Sequence, residues 1–399
     1  MILEQYIFLF IIFSIAAYFL YTRIRYPFWS HMPISHTYDY INLFDNLIQT
    51  IPKRNKFCNT NQIKTTSFFE LDDTQQKSVS EILNCYYIPS DVIFSTVSPE
   101  ILKTRMKGHF DTPFVSTDPS FAIGCIASYP VHTVYLSIPS PANYLTYLAV
   151  SDNKQLVRNL ISTHDYNIRN KNPNINTTLY KKHAGKCDGA KPLVEFRTSV
   201  FYINVDNDTK LIKNPSIQAH VIQIYKTNWH LMQEFYDSIL NIASIAMFDF
   251  VAIMDIGALK VRVDANQLYI YAYRVGTQIM ALYFIEDMNT LYENVADYGG
   301  KTLSLVASVN NMTINNVIEE NEESKSLFYN GFVEVIHKIV KQNRDYKMMV
   351  IDDLGHNRQI VEYTKKTKET IFETEGGYYW INRRISEPTN SVKVFILVD

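Results

Sequence analysis

The stretch that decides the fold is Phe121-AIGCIASYPVHTVYLS-Ile138, followed closely by Tyr144-LTYLA-Val150. Both are rich in Val, Ile and Tyr, a composition typical of buried strands. Because proline cannot donate to a sheet ladder, Tyr129-Pro130 predicts a turn that divides the first stretch into two strands. The second stretch ends at Ser151-Asp-Asn-Lys154, and Leu156–Arg169 continues with helical spacing. The sequence therefore predicts a group of strands followed at once by a helix.

The second half of the chain repeats this order more loosely. His230–Ala246 is predicted to be helical and Lys260–Val263 to be a strand, and Val392-KVFILV-Asp399 predicts a strand at the end of the sequence. Leu327–Val340 is a clear amphipathic helix. Its apolar face comprises Phe328, Phe332, Val335, Ile336 and Ile339. We predict an α+β (mixed α/β) fold with two related halves, residues 27–205 and 206–399.

Composition excludes some classes of function. The chain has 399 residues, 47% hydrophobic and 20% charged, and a net charge of −2, so it carries no electrostatic footprint for nucleic acid. The cysteines, Cys58, Cys85, Cys125 and Cys187, form no CxxC pair. This sparse usage argues against a zinc site or a disulfide framework and fits a reducing compartment.

The N-terminal segment, residues 1–26, is predicted to be a membrane anchor. Tyr6-IFLFIIFSIAAYFLY-Thr22 contains no charged residue, and at ~1.5 Å per residue its helix approaches the ~30 Å hydrocarbon thickness. A cleaved signal peptide would need a basic segment before the apolar run, whereas Glu4 precedes it and Arg23 and Arg25 follow. A buried core helix is the other alternative. The positive-inside rule places the body in the cytosol, with the lipid bilayer as a partner.

Several short motifs, in the correct order, resemble the N-myristoyltransferase family. They are Phe28-Trp-Ser-His-Met-Pro33, Ile123-Gly-Cys-Ile126, Tyr147-Leu-Ala-Val150, Leu160-Ile-Ser-Thr-His164, Ile351-Asp-Asp-Leu-Gly-His-Asn357 and Tyr378-Tyr-Trp-Ile-Asn382. The resemblance covers roughly residues 27–399. Within the family, the sequence is most similar to members encoded by large DNA viruses. For a viral protein, the membrane would be that of the host cell or the virion.

The resemblance implies a fold of two fused GNAT-like halves, the first binding acyl-CoA (myristoyl-CoA) as co-substrate and the second helping to bind a peptide. The implied reaction is attack by the amine of an N-terminal glycine on the acyl thioester. By the same resemblance, the backbone N–H groups of Tyr147 and Leu148 form an oxyanion hole. A carboxylate at Asp399 takes the proton of the amine, and no metal takes part.

The implied acyl-CoA contacts are Phe28, Trp29, Val150, Lys154, Arg158 and Asn159. The segment from Val150 to Leu160 departs from the family, because it is short and has no glycine where a backbone would approach phosphates. This departure keeps an alternative open: a catalytically inactive relative that acts as a membrane-bound binding or assembly scaffold. A GNAT enzyme that uses a short acyl group is a third interpretation.

Two further clusters have ordinary explanations. Asp352, Asp353 and His356 are spaced for a metal site, but the Leu-Gly between them favours a turn from strand to helix. Lys181-Lys182-His183, with Lys186, is a basic segment that favours a solvated turn; contact with lipid headgroups or acyl-CoA phosphate is the alternative.

Overall fold

The computed structural model describes residues 2–39, 47–87, 93–108, 114–117, 124–151, 153–203, 219–240, 247–276, 278–292, 299–311 and 322–398. Its first element is helix α1 (Ile2–Arg25). Within α1, Gln5–Arg25 has a mean hydropathy of 2.0, and little of this segment is covered by the rest of the molecule. By length and composition, the helix is therefore able to cross a membrane.

The body combines seven further described helices with sixteen described strands. The helices are α2 (Asp73–Tyr86), α3 (Pro99–Met106), α4 (Lys154–Lys171), α5 (His230–Leu240), α6 (Ile256–Asp264), α7 (Glu322–Gln342) and α8 (Asn357–Thr367). The strands are β1 (Lys64–Ser67), β2 (Ile93–Ser95), β3 (Phe114–Thr117), β4 (Gly124–Tyr135), β5 (Ile138–Pro139), β6 (Ala142–Val150), β7 (Thr177–Lys182), β8 (Val194–Tyr202), β9 (Ala219–Gln223), β10 (Phe250–Met254), β11 (Leu268–Val275), β12 (Gln278–Tyr292), β13 (Gly300–Asn310), β14 (Tyr346–Asp352), β15 (Thr370–Ile381) and β16 (Val394–Leu397).

One continuous sheet joins the sixteen strands, twelve of them in the order β1-β3-β4-β6-β7-β15-β8-β14-β13-β12-β11-β9, while β2, β5, β10 and β16 pair outside this path. The order is symmetric about its centre. In both parts, an antiparallel pair is followed by a helix and a parallel strand: β4, β6, α4 and β7 in one, β12, β13, α7 and β14 in the other. At the centre the two parts of the chain exchange strands. β8, from the first part, pairs with β14, and β15, from the second part, pairs with β7. The predicted boundary near residue 206 lies outside the described residues.

Each parallel pair separates part of the way along. β6 pairs with β7 only from Ala142↔Thr177 to Leu145↔Tyr180, and we name the gap beyond that last pair the first opening. β13 pairs with β14 only as far as Leu305↔Ile351, and we name the gap beyond it the second opening. The fold therefore presents two equivalent places where a ligand or a side chain can enter the sheet.

The predicted turn at Tyr129-Pro130 is wrong, because β4 runs straight through the proline. On one edge of β4, pairing with β3 ends at Ser128 and pairing with β10 begins at Val131. Pro130 lies in the gap between these two partners, where a missing N–H interrupts neither ladder.

The predicted strand at Lys260–Val263 is also wrong, because these residues belong to α6. The Asp255 side chain caps the helix by accepting hydrogen bonds from the backbone N–H groups of Gly257 (2.8 Å) and Ala258 (3.3 Å). Leu259 and Val263, four residues apart, are buried on its inner face.

The strand predicted at the end of the sequence is confirmed as β16, which runs parallel to β10 with Leu397 opposite Ile253. Val398 is fully buried. Asp399, the predicted carboxylate, lies outside the described residues.

Candidate functional site

The first opening begins beside a β-bulge in β6. Cys125 of β4 lies opposite Ala149 and Ala127 lies opposite Thr146, so Ile126 alone opposes both Tyr147 and Leu148. Within the described part of the sheet, neither residue has a register partner in β4 or in β7. The bulge therefore interrupts the regular pairing of β6 with β4 at these two residues, at the end of β6 where β7 has already separated from it.

Tyr147 has a left-handed backbone with a φ of 52°, a conformation that bulky residues rarely adopt. Arg105 Nη1 donates to the Tyr147 hydroxyl at 2.6 Å, and the Tyr87 ring lies 5.6 Å away. The Cys125 thiol donates to the Tyr147 carbonyl at 3.7 Å, and burial raises the pKa of this thiol to about 12, so it stays protonated. These contacts hold the strained residue in place.

A cleft of about 300 Å³ lies on the α4 side of the first opening. It is lined by Arg25, Tyr26, Pro27, Phe28, Trp29, Lys154, Val157, Arg158, Ile161, Tyr180, Lys182, Lys186, Cys187 and Asp188. Tyr180 is the last β7 residue paired with β6, so the cleft begins where the strands separate. The Trp29 ring is stacked on Tyr379 and lies 6.4 Å from Tyr180, which gives the cleft an aromatic wall.

The cleft is strongly basic. Among the described residues that line it, five are cations and Asp188 is the acid. Lys186 is bound to Glu195 at 2.8 Å, but this pair is half-exposed and contributes little electrostatic stabilisation. An apolar wall with a basic rim suits a ligand that joins an acyl chain to phosphates.

The predicted acyl-CoA contacts fall into two groups. Phe28, Trp29, Lys154 and Arg158 line the cleft together. Val150 is paired with Gly124 and packs in the neighbouring core, while Asn159 accepts a hydrogen bond from Gln155 on the α4 surface. Neither of these two residues lines the cleft.

The cleft residues that sequence analysis missed come from two places. Arg25 and Tyr26 belong to the end of the predicted anchor segment, and Lys182 and Lys186 to the basic segment interpreted as a solvated turn. The cluster of lysines was a signal for these last two residues, and contact with phosphate was the alternative interpretation of it.

The N-terminus of α4 is already capped by its own chain. The Asn153 side chain accepts hydrogen bonds from the backbone N–H groups of Gln155 (3.0 Å) and Leu156 (3.1 Å). These are amides that a phosphate would otherwise meet at a helix N-terminus. Phosphate binding at this cleft would therefore depend on side chains such as Lys154 and Arg158.

A second, smaller groove of about 70 Å³ lies on the opposite face of the sheet, where Tyr147 packs against α2 and α3. Two buried ion pairs border it: Arg105 with Glu286 at 2.7 Å, and Lys181 with Asp352 at 2.9 Å. Each pair joins residues distant in the sequence, which is why no local pattern predicted them. The groove takes residues from both parts of the sheet, and most of them have polar or charged side chains.

Asp352, Asp353 and His356 do not converge on a point. Asp352 pairs with Lys181, Asp353 accepts a hydrogen bond from the Arg197 backbone, and His356 Nδ1 accepts one from the Asn310 backbone at 3.0 Å. Among the residues that the structure describes, no group of three His, Cys, Asp or Glu side chains is placed to hold a metal ion.

The second opening is filled by side chains. Asn357, at the start of α8, donates to the carbonyls of Leu305 (3.2 Å) and Val306 (3.3 Å) and accepts a hydrogen bond from Ser308 (2.6 Å). The buried His356 ring lies beside it, and burial lowers the pKa of His356 to about 4. This opening is closed by a satisfied polar network.

No family model and no curated protein matches the sequence. Among solved structures, Saccharomyces cerevisiae N-myristoyltransferase with bound myristoyl-CoA is similar, with a TM-score of 0.70 and 13% identity over 94% of this chain and 99% of that one. A structure of the same yeast enzyme with myristoyl-CoA and inhibitors matches with a TM-score of 0.70 and 14% identity over 93% of each chain. The predicted fold class, two fused GNAT-like halves, is confirmed.

Proposed function

We propose that this chain is a membrane-anchored acyltransferase that moves a long acyl group from acyl-CoA, such as myristoyl-CoA, to the amine of an N-terminal glycine. The observation that carries the proposal is the bulge at Tyr147-Leu148, which has no register partner and follows the last β6–β7 pair, where a basic, aromatic-walled cleft begins at Tyr180. The fold shared with yeast N-myristoyltransferase supports it.

The proposed step needs no side-chain nucleophile. The neutral amine attacks the thioester carbonyl, a C–N bond forms, the C–S bond breaks, and the CoA thiolate leaves. The N–H groups of Tyr147 and Leu148 bind the oxygen while it carries negative charge. The proton lost by the amine passes to a carboxylate of Asp399, which follows buried Val398 in the chain.

The acyl-CoA would lie in the cleft, with Phe28 and Trp29 against its apolar part. Lys154, Arg158, Lys182 and Lys186 are the cations available to its phosphates, because Asn153 occupies the α4 amides. The peptide would enter from the groove on the other face, where Tyr147 meets residues of both parts of the sheet. In this scheme residues 27–205 hold the donor and 206–399 help to hold the acceptor.

We further propose that Gln5–Arg25 spans the membrane and that Arg23 and Arg25 keep the body in the cytosol. If the chain is viral, the membrane is that of the host cell or virion.

The test is transfer of labelled myristoyl-CoA to a peptide that begins with glycine, with the full chain in lipid vesicles. A peptide beginning with alanine is the control. Transfer to the glycine peptide alone is the expected result, and no transfer with any acyl length from eight to sixteen carbons would exclude the proposal.

The Asn153 cap favours a second candidate, an inactive scaffold that keeps the fold and no longer binds the donor. Calorimetry with a thioether analogue of myristoyl-CoA separates the two. Saturable binding favours the enzyme, and its absence together with absent transfer favours the scaffold.

A further inference from the structure

The junction between α1 and the body is short and rigid. α1 ends at Arg25, and Phe28 is already buried in the body, so two residues span the distance. Even fully extended, two residues cover only about 7 Å. Thr22, in the last turn of α1, is buried against the body as well.

Aromatic side chains fix the direction of the helix. Tyr18 of α1 donates a hydrogen bond to the Tyr38 carbonyl at 2.7 Å, and the Tyr26 and Tyr38 rings are stacked at 5.5 Å. Tyr26 also lies directly on the backbone of Gly189, since a Cβ at that glycine would come within 2.5 Å of the ring. The end of α1 and the residue that follows it are therefore both held against the body.

These contacts determine where the cleft lies relative to a bilayer. Arg25 and Tyr26 are residues of the junction and also line the cleft. The polar layer on each side of the hydrocarbon is only about 5–8 Å thick. A helix that crosses the membrane therefore holds the mouth of the cleft at the headgroup layer, where tyrosines such as Tyr21 and Tyr26 are favoured.

The donor that we propose for this site collects in the same layer. A single myristoyl chain binds bilayers with K of about 10⁴ M⁻¹, so at roughly 1 mM accessible lipid about ten molecules are bound for each free one. The basic rim, Arg25, Lys154, Arg158, Lys182 and Lys186, matches phosphates at the surface of the leaflet.

On the basis of the proposed function, we propose that the cleft is loaded from the membrane: acyl-CoA already dissolved in the leaflet enters through the mouth beside Arg25 and Tyr26. The short junction acts as the positioning element, because only Tyr26 and Pro27 separate α1 from buried Phe28.

The first experiment measures location and needs no activity. A fluorophore is attached to Lys186→Cys in a Cys58→Ser, Cys85→Ser background of the full chain, and the protein is placed in vesicles with spin-labelled headgroups. The matched control is Glu362→Cys on α8. We expect strong quenching at residue 186 and little at 362. Quenching at 362 equal to or above that at 186 would overturn the proposal.

The second experiment loosens the junction. A twelve-residue Gly-Ser insertion between Arg25 and Tyr26 has a reach of about 17–21 Å and uncouples the cleft from the surface. The same insertion after Gly276, whose surroundings are open, is the control. We expect about tenfold slower transfer from vesicle-borne myristoyl-CoA for the junction variant alone, because its cleft no longer meets the donor at the concentration of the leaflet.

Octanoyl-CoA distinguishes membrane loading from the proposed acyltransferase activity, because it partitions into lipid roughly a thousandfold more weakly than myristoyl-CoA. Transfer from octanoyl-CoA is expected to be equal in both insertion variants. Equal transfer of myristoyl groups by both would overturn membrane loading while leaving the acyltransferase intact. If the unmodified chain transfers neither group, the proposed function fails and the quenching result still decides the location of the cleft.

Discussion

The first and second openings are equivalent positions in one repeated fold, yet they have opposite contents. In the second, Asn357 fills the gap and satisfies the carbonyls of Leu305 and Val306. In the first, Tyr147 and Leu148 have no register partner in β4 or β7, and a basic cleft begins at Tyr180. The comparison shows that separating two parallel strands creates a gap in the sheet. Whether a ligand can bind there depends on whether nearby side chains fill the gap.

The largest expected effect comes from removing one backbone hydrogen-bond donor from the first opening. Replacing the Leu148 amide by an ester, through an α-hydroxy acid, removes its N–H and keeps the side chain. We expect kcat for acyl transfer to fall about 10²–10³-fold.

The matched control is the same replacement at Val306, the extra residue of the β13 bulge. Transfer by that variant is expected to match the unmodified protein. Equal losses in the two variants would mean that the openings do not differ in the way we describe.

The second test removes the side chain that closes the second opening. Asn357→Ala leaves Ser308 and two carbonyls without their buried partner, so we expect the free energy of unfolding to fall by about 2–4 kcal/mol. Urea denaturation measures it, with Asn159→Ala in the first part as the control, expected to change it by less than about 0.5 kcal/mol. Similar losses in both would contradict a specific role for Asn357.

The third test uses pH, because each part of the fold contains a histidine whose pKa is lowered by burial. Burial lowers the pKa of His164 to about 3 and that of His356 to about 4. As pH falls below about 6.5, the unfolded chain takes up these protons and the folded chain does not, so stability is lost. From pH 6.5 to 4.5 each histidine should account for about 2–3 kcal/mol, at 1.36 kcal/mol per pKa unit.

Denaturation curves at pH 7 and pH 4.5 measure the loss. The variants His164→Asn and His356→Asn should each show a smaller difference between the two pH values than the unmodified chain does. If neither variant reduces the difference in stability between the two pH values, the acid sensitivity arises from other groups.

The smallest expected effect concerns the basic rim of the first opening. Arg158→Glu reverses a charge that lines the cleft, and we expect acyl-CoA to bind about tenfold more weakly, with a smaller difference at high salt. Arg358→Glu on α8, where Arg358 forms an exposed pair with Glu362, is the control and should leave affinity unchanged. Titration calorimetry at two salt concentrations compares them.

Local patterns predicted what depends on local chemistry. The 3.6-residue period of Leu327–Val340 predicted the buried face of α7, and resemblance to a family predicted that Phe28, Trp29, Lys154 and Arg158 belong together. Pro130 predicted a turn, whereas its tolerance inside β4 depends on where β3 ends and β10 begins, which is a tertiary fact. The β propensity of Lys260–Val263 predicted a strand, whereas the Asp255 cap begins a helix that includes these residues.

The site itself was only partly predictable. Arg105 and Glu286 meet across 180 intervening residues, and Asn153 caps α4 through a backbone geometry that composition does not specify. The cleft depends on Tyr26 and Lys186 approaching from separate segments. Such contacts arise only when the sheet is assembled.

The exchange of β8 and β15 at the centre of the sheet has a consequence for how this chain can be divided. A fragment ending after Ile203 would retain β8 without the β14 and β15 partners that bury its edges. Its complement would carry β15 without β7. Cut there, the two pieces should be insoluble when produced alone and recover a native sheet only by co-expression, so the duplicated units have become mutually dependent for solubility.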